Sequence, residues 1–235
     1  MIKHYALSIM IALSSYNSFA INIANDTTQS TEAKQQSASA SSDASTELQQ
    51  RLNFFDGYKS NFVQVVRDID GNIIHEANGR LVFKQPGKFI WEVTAPEEEL
   101  LISNGTYVWW FNPFVEQVSI FDVKQAVTQT PFALLVSKDL SIWNTFNIVK
   151  QGTDYIVTPK DESQAQVVKL KLVLDQQQLQ KIIITSRSQQ VSEYTLSEQS
   201  KFEPNKDMFE FEIPSGVDID DQRQSLPTID GNVSY

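Results

Sequence analysis

The residue types that build catalytic and metal sites are scarce in this 235-residue chain and poorly grouped. Cysteine is absent, and the only histidines are His4 and His75. A Ser-His-Asp relay needs an imidazole held between a nucleophile and a carboxylate. His75 lies in a predicted strand just after a turn, between Ile74 and Glu76, and reads as an ordinary surface histidine. Zinc sites need Cys and His clusters, and no Gly-rich phosphate cradle is present. Glu97, Glu98 and Glu99 are neighbours on one loop, whereas glycoside hydrolysis needs two carboxyl groups facing each other across the substrate. Asp218, Asp220 and Asp221 lack the Gly turn and closing Glu of a calcium loop. The expectation is no enzyme, no cofactor and no metal.

The positive signal is apolar. Phe62, Leu81, Phe83, Phe89, Trp91, Leu101, Trp109, Phe111 and Phe114 fall within one run of predicted strands, many of them at period two. Such a stripe either fills a core or lines a hollow for a greasy ligand. Val108-Trp109-Trp110-Phe111 puts large groups on both faces of a single strand, so both faces need cover. Only two amphipathic helical segments are available to provide it, and composition alone leaves both readings open.

The elements that must position these residues are mostly strands. Leu48, Leu52 and Phe55 fall at i, i+4 and i+7 and predict one amphipathic helix, capped by Asp43, Ser45 or Thr46 and ended by Gly57. Strands are then predicted at 61–67, 73–83, 88–93, 100–103, 107–111 and 117–121, with Asn104-Gly105 as a hairpin turn. The segment 130–136 predicts a short helix with Thr130 as N-cap and Pro131 at its first position. Strands resume at 146–150, 155–159, 167–174, 180–186, 192–199 and 209–213. About a dozen short strands with few helices predict a mainly β, strongly bent antiparallel sheet or barrel.

The ends read differently. Residues 1–20 have a short positive start, an apolar run over Tyr5–Tyr16 too short to span a bilayer, and Ser18-Phe19-Ala20 as a cleavage site. They predict a signal peptide, hence export. Residues 21–46, rich in Ser, Ala, Thr and Gln, predict a disordered tether. The folded domain is expected over 47–224, with a flexible tail at 225–235. The net charge is −10, which argues against nucleic acid and anionic membrane surfaces as partners. Without Cys the mature chain cannot carry the acyl groups of a bacterial lipoprotein.

The order of Leu52, Phe62-Val-Gln64, the Gly79 strand, Lys84-Gln-Pro86, Phe89-Ile-Trp91, Pro96-Glu-Glu, Leu101-Ile-Ser-Asn-Gly105, Trp109, Asn112-Pro-Phe-Val-Glu-Gln117, Thr130-Pro-Phe132, Thr158-Pro159 and Asp220-Asp-Gln-Arg223 resembles the periplasmic outer-membrane lipoprotein carrier family. The resemblance covers about 48–223. It implies an incomplete antiparallel β-barrel with a short helical lid over an apolar cavity. It implies a monomeric periplasmic chaperone that takes lipoproteins from an inner-membrane ATP-driven transporter, shields their acyl chains, and hands them to an outer-membrane receptor of similar fold. That receptor is itself an acylated lipoprotein, so the missing Cys points to the carrier. On strand alternation, the expected lipid-contacting residues are Leu52, Phe55, Leu81, Phe83, Phe89, Trp91, Leu101, Trp109, Phe111, Phe132, Leu134 and Leu135. Where the family pattern has Lys-Arg-Pro, with the Arg latching the lid, this chain has Lys84-Gln85-Pro86. Gln85 and Lys84 are therefore the candidate latch, with Lys88 as a possible substitute. Rival readings are a periplasmic sensor or chaperone of similar fold, and a lipid hydrolase.

Overall fold

The computed structural model describes residues 43–53, 56–123, 133–163, 165–175 and 178–223. Within them, strands β1 (Tyr58–Arg67), β2 (Ile73–Lys84), β3 (Lys88–Ala95), β4 (Glu99–Asn104), β5 (Tyr107–Asn112) and β6 (Gln117–Asp122) form one meander. A second comprises β7 (Phe146–Gln151), β8 (Asp154–Pro159), β9 (Val167–Asp175), β10 (Gln178–Ser186) and β11 (Val191–Lys201). The two meanders join where β1 pairs with β11, and β12 (Asp218–Asp221) closes the other side. The result is one twelve-stranded sheet in the order β12-β6-β5-β4-β3-β2-β1-β11-β10-β9-β8-β7.

The sheet must curl. Trp91 of β3 and Tyr194 of β11 have β2 and β1 between them, yet their ring centroids are 4.8 Å apart. Three strand spacings of about 4.8 Å each would put their backbones roughly 14 Å apart on a flat sheet. Phe62 of β1 sits against both rings, at 5.1 Å from Trp91 and 5.6 Å from Tyr194. The register shifts of β1 against β11, of β2 against β1 and β3, and of β9 against β10 supply bends of the kind bulges produce. One face is therefore concave and gathers Tyr58, Phe62, Leu81, Phe83, Trp91, Tyr155, Leu170, Leu172, Ile182 and Tyr194 into a single cluster.

Helix α1 (43–52) covers part of this face. Ala44, Leu48 and Leu52 recur at i, i+4 and i+8 and are buried. Glu47 pairs with Lys150 of β7 at 2.8 Å, and the Arg51 guanidinium lies 6.0 Å from the centre of the Tyr155 ring on β8. The helix thus includes residues 43–46, expected in the tether, because Ala44 extends the apolar stripe by a turn. Two further helices are short, α2 (Ala133–Val136) and α3 (Leu140–Trp143). The predicted start of α2 at Thr130 and Pro131 lies outside the described residues. Helix α3 was not expected. Asp139 caps it by accepting the Ser141 N–H at 2.8 Å, and Trp143 is buried with its Nε1–H donated to the Ser137 carbonyl.

The C-terminal part corrects two expectations. The strand predicted at 209–213 is instead the end of a 3-10 turn, Lys206–Phe209, followed by unpaired extended chain. Pro204 and Pro214 withhold backbone donors at its two ends. Its aromatics dock on the convex face instead, where Phe209 joins Val82, Ile90 and Ile102, with Phe202 and Phe211 packed alongside. The second correction is β12, which pairs parallel with β6 and is the one parallel ladder in an otherwise antiparallel sheet.

Gly79 shows how tight the concave side is. It lies directly across from Phe62, and a Cβ there would collide with the Phe62 ring and the Glu92 carbonyl oxygen. Gly79→Ala is expected to destabilise the fold by about 1–3 kcal/mol, the usual range for an overpacked core. Urea unfolding followed by tryptophan fluorescence measures this, and an unchanged midpoint would mean the Phe62 ring can move aside.

Candidate functional site

The concave face is uncharged over most of its area. Leu81, Phe83, Phe89, Trp91 and Leu101, all expected to meet lipid, lie together on it and are nearly inaccessible. Leu52 of α1 and Leu134 and Leu135 of α2 pack onto the same cluster from above. Phe55 and Phe132 lie outside the described residues. Trp109 and Phe111 do not belong to this group. Leu101 is paired with Trp110 and Ile102 with Trp109, so Trp110 shares the concave face and Trp109 the convex one. Trp109 and Phe111 rest against Phe211 of the C-terminal strap, at 6.2 and 5.8 Å. Val108 is the buried concave residue of β5, with Trp110 beside it. In a run of four large apolar residues, alternation cannot choose the face.

Both helices are tied to the turn between β2 and β3. Gln85 is buried, and its Nε2 donates to the Leu52 carbonyl at 3.5 Å and to the Leu135 carbonyl at 3.3 Å. These bonds are long, hence weak. The two carbonyls fix which way the amide points, because a flipped Oε1 would face two acceptors. Oε1 is buried and meets no donor among the described residues, which costs about 1–3 kcal/mol. The Gly87 N–H donates to the Val136 carbonyl at 2.8 Å, a stronger tie to α2. Lys84 faces outward and reaches Asp56, just past α1, at 3.1 Å, and Glu203 of the strap at 3.4 Å. Its ammonium is held above its ordinary pKa chiefly by Asp56. Lys88 takes no part and lies 5.9 Å from the centre of the Phe209 ring on the convex side.

Two carboxylate sets can be placed. Asp220 accepts from the Gln222 amide at 2.6 Å, and Asp221 pairs with Arg223, so these acids are engaged with neighbours. No group of three or more His, Cys, Asp and Glu among the described residues is placed to hold a metal ion. Of the three loop glutamates, Glu99 is the exception to a solvated loop. It is the first residue of β4, two before Leu101, and shares its face. Sequence reasoning passed over it, although period-two counting back from Leu101 reaches it. His75 sits half-buried on β2, opposite Val66. No helix among the described residues is long and apolar enough to cross a membrane.

Fold and site together define a class of protein, a curled open sheet whose apolar inner face is closed by short helices hung on one turn. The family profile described as outer membrane lipoprotein carrier protein LolA matches residues 53–212. A protein of Shewanella pealeana named outer-membrane lipoprotein carrier protein is 37% identical over 178 residues, covering 75% of this chain and 85% of its own. One of the same name from Proteus mirabilis is 37% identical over 187 residues, covering 80% and 92%. A solved structure of a LolA superfamily protein from Nitrosomonas europaea covers 71% of this chain and 97% of its own, with 12% identity and a TM-score of 0.46. The chain belongs to the LolA family of outer-membrane lipoprotein carrier proteins.

Gln85→Ala removes two long hydrogen bonds but also an orphaned acceptor, so the expected loss of global stability is under about 1 kcal/mol. The local effect is expected to be larger. Amide exchange over 44–52 and 134–143 should quicken while the β1–β11 ladder stays protected. Equal acceleration in both would mean that Gln85 supports the whole fold rather than the helices.

Proposed function

We propose that this protein is a periplasmic carrier that shields lipoprotein acyl chains against its concave face and releases them without chemical turnover. The observation that carries this reading is the match between that face and its cover. The face is a continuous apolar wall, and the helices above it present the leucines Leu48, Leu52, Leu134 and Leu135 to it. Those side chains occupy the place an acyl chain would take, and they are held by few polar contacts. Family membership supplies the cargo class, since the relatives are named for lipoprotein carriage.

The energetics require such a device. Each methylene exposed to water costs about 0.8 kcal/mol, so one long acyl chain costs on the order of 10 kcal/mol. Lipoproteins leaving one membrane for another need a shield throughout the crossing. The donor in this reading is an inner-membrane ATP-driven transporter and the acceptor an outer-membrane receptor. The net charge of −10 favours passage between membranes over adsorption to anionic lipid. The carrier works as a monomer, and Gln85 with Lys84 forms the latch.

The test is release of lipoprotein from proteoliposomes bearing the matched transporter. Soluble lipoprotein in a one-to-one complex should appear only with ATP and this protein together. No release, with folded protein and an active transporter, would overturn the reading. Leu135→Asn is expected to slow transfer to receptor-bearing acceptor vesicles by roughly tenfold or more, since burying a leucine is worth about 1.5–3 kcal/mol. Unimpaired transfer by this variant would remove α2 from the lid.

A further inference from the structure

Glu99 stands alone in its setting. Among the described residues of β1–β6 it is the one Asp, Glu, Lys or Arg that shares the concave face, in line with Leu101 and Ser103 on β4. Val93 lies directly across from it on β3, and Asn112 of β5 donates Nδ2–H to its Oε1 at 3.1 Å. A cleft at the strand ends away from the Gln85 turn, of about 200 Å3, is lined by Glu99 and Val93 together with the polar Glu92, Thr94 and Glu98 and with Leu100 and Phe111 of the convex side. The charged or titratable groups around Glu99 are Glu92 from β3, Glu97 and Glu98 in the preceding loop, and Tyr194 from β11. The Tyr194 hydroxyl already accepts the Gln64 amide N–H at 2.9 Å. Glu92 is itself ion-paired with Arg80 of β2.

A partly buried carboxylate with one neutral donor and a like charge nearby is favoured in its protonated form. Burial accordingly pushes the Glu99 carboxyl up from 4.5 to about 7, with Glu97 adding to the rise and Asn112 opposing it. Two features make this consequential. Glu99 faces the surface that cargo would cover, and an acyl chain seated at the rim would expel the water that still solvates the ionised form.

We propose that Glu99 makes occupancy of the apolar face proton-linked: seating an acyl chain takes up a proton at Glu99, and ionisation of Glu99 favours release. The inference rests on the acyl-carrying reading above. Its effect is confined to the pH range around neutrality, where the carboxyl changes charge. The protonated carboxyl keeps the Asn112 N–H on one oxygen and presents no charge to the hydrocarbon. The ionised carboxyl does present one, and the bound chain must then give way or leave water beside it.

The experiment uses an uncharged probe, a dialkylglycerol carrying a neutral fluorophore, so that only the protein titrates. Its affinity for the wild-type protein is expected to weaken about fivefold between pH 6 and pH 8, half of the roughly tenfold limit that a one-unit pKa difference between bound and free states sets at higher pH. Glu99→Gln should bind at all pH values as the wild type does at pH 6. Calorimetry at pH 7 in two buffers of different ionisation enthalpy should show proton uptake on binding by the wild type and none by Glu99→Gln. The unliganded fold supplies a second readout. A carboxyl whose folded pKa is raised loses its stabilising contribution as pH rises from 4.5 through about 7, and Glu99→Gln should flatten that part of the wild-type stability profile. Binding without pH dependence or proton uptake would overturn the proposal and leave the carrier reading intact. So would a pH effect that survives in Glu99→Gln but is lost in His75→Gln. Absence of probe binding at every pH would overturn both readings.

Discussion

The rest of the structure depends on one constraint, that a curled sheet with an apolar inner face must be covered. The inner face gathers Phe62, Phe83, Trp91 and Tyr194 with the leucines and isoleucines of the second meander. Apolar surface facing water costs about 25 cal/mol per Å2, so a face of this extent cannot stand open. The convex side meets the same demand by a different route. Ile90, Ile102 and Trp109 are covered there by chain segment 202–211, which has no regular structure beyond one 3-10 turn. Lys84 ties both covers to β2, reaching Asp56 just past α1 and Glu203 of the convex segment. Concave cover is held further by Gln85 and the Gly87 N–H.

The sheet and its helices are held in different ways. The β1–β2 and β1–β11 ladders run along nearly the whole of β1 and join the two meanders into one sheet. Helices α1 and α2 have no ladder. Their polar ties to the sheet converge on one turn and on the Glu47–Lys150 pair at the edge strand. Exposed ion pairs of that kind are worth about 0–1 kcal/mol. What keeps the helices down is therefore the burial of their own leucines, an apolar contact that another apolar surface can replace.

Much of this was legible in the residues. The strand positions along the chain, the Asn104-Gly105 hairpin and the membership of Leu81, Phe83, Phe89, Trp91 and Leu101 in one face followed from period-two alternation bounded by turn residues. The failures have identifiable causes. Val108-Trp109-Trp110-Phe111 carries no alternation, so the face of β5 was set by pairing of Leu101 with Trp110, a long-range fact. Phe209 and Phe211 alternate like a strand but dock as side chains on the convex patch, without a backbone partner. Strand β12 consists of Asp218-Ile219-Asp220-Asp221, whose acids mask its pairing with β6. Gln85 stood out only against a family pattern, and its two carbonyl partners, 33 and 50 residues away in sequence, are visible only in the fold.

A carrier that acts without turnover must hold its cargo about as well as it holds its own lid. Burying a leucine contributes about 1.5–3 kcal/mol, so Leu48, Leu52, Leu134 and Leu135 together bring roughly 6–12 kcal/mol to the closed state. One long acyl chain brings on the order of 10 kcal/mol to the same surface. On the proposed carrier reading the two quantities are of the same order for one chain, so polar contacts at the turn would bear on the direction of exchange. The bonds of Gln85 are long, and its Oε1 is buried without a donor among the described residues. A charged, bidentate side chain at the same place would hold the closed state more firmly. The energy needed to open it would then have to come from whatever loads the cargo. The neutral amide lowers that demand, and in exchange it leaves more of the retention of cargo to the apolar face itself.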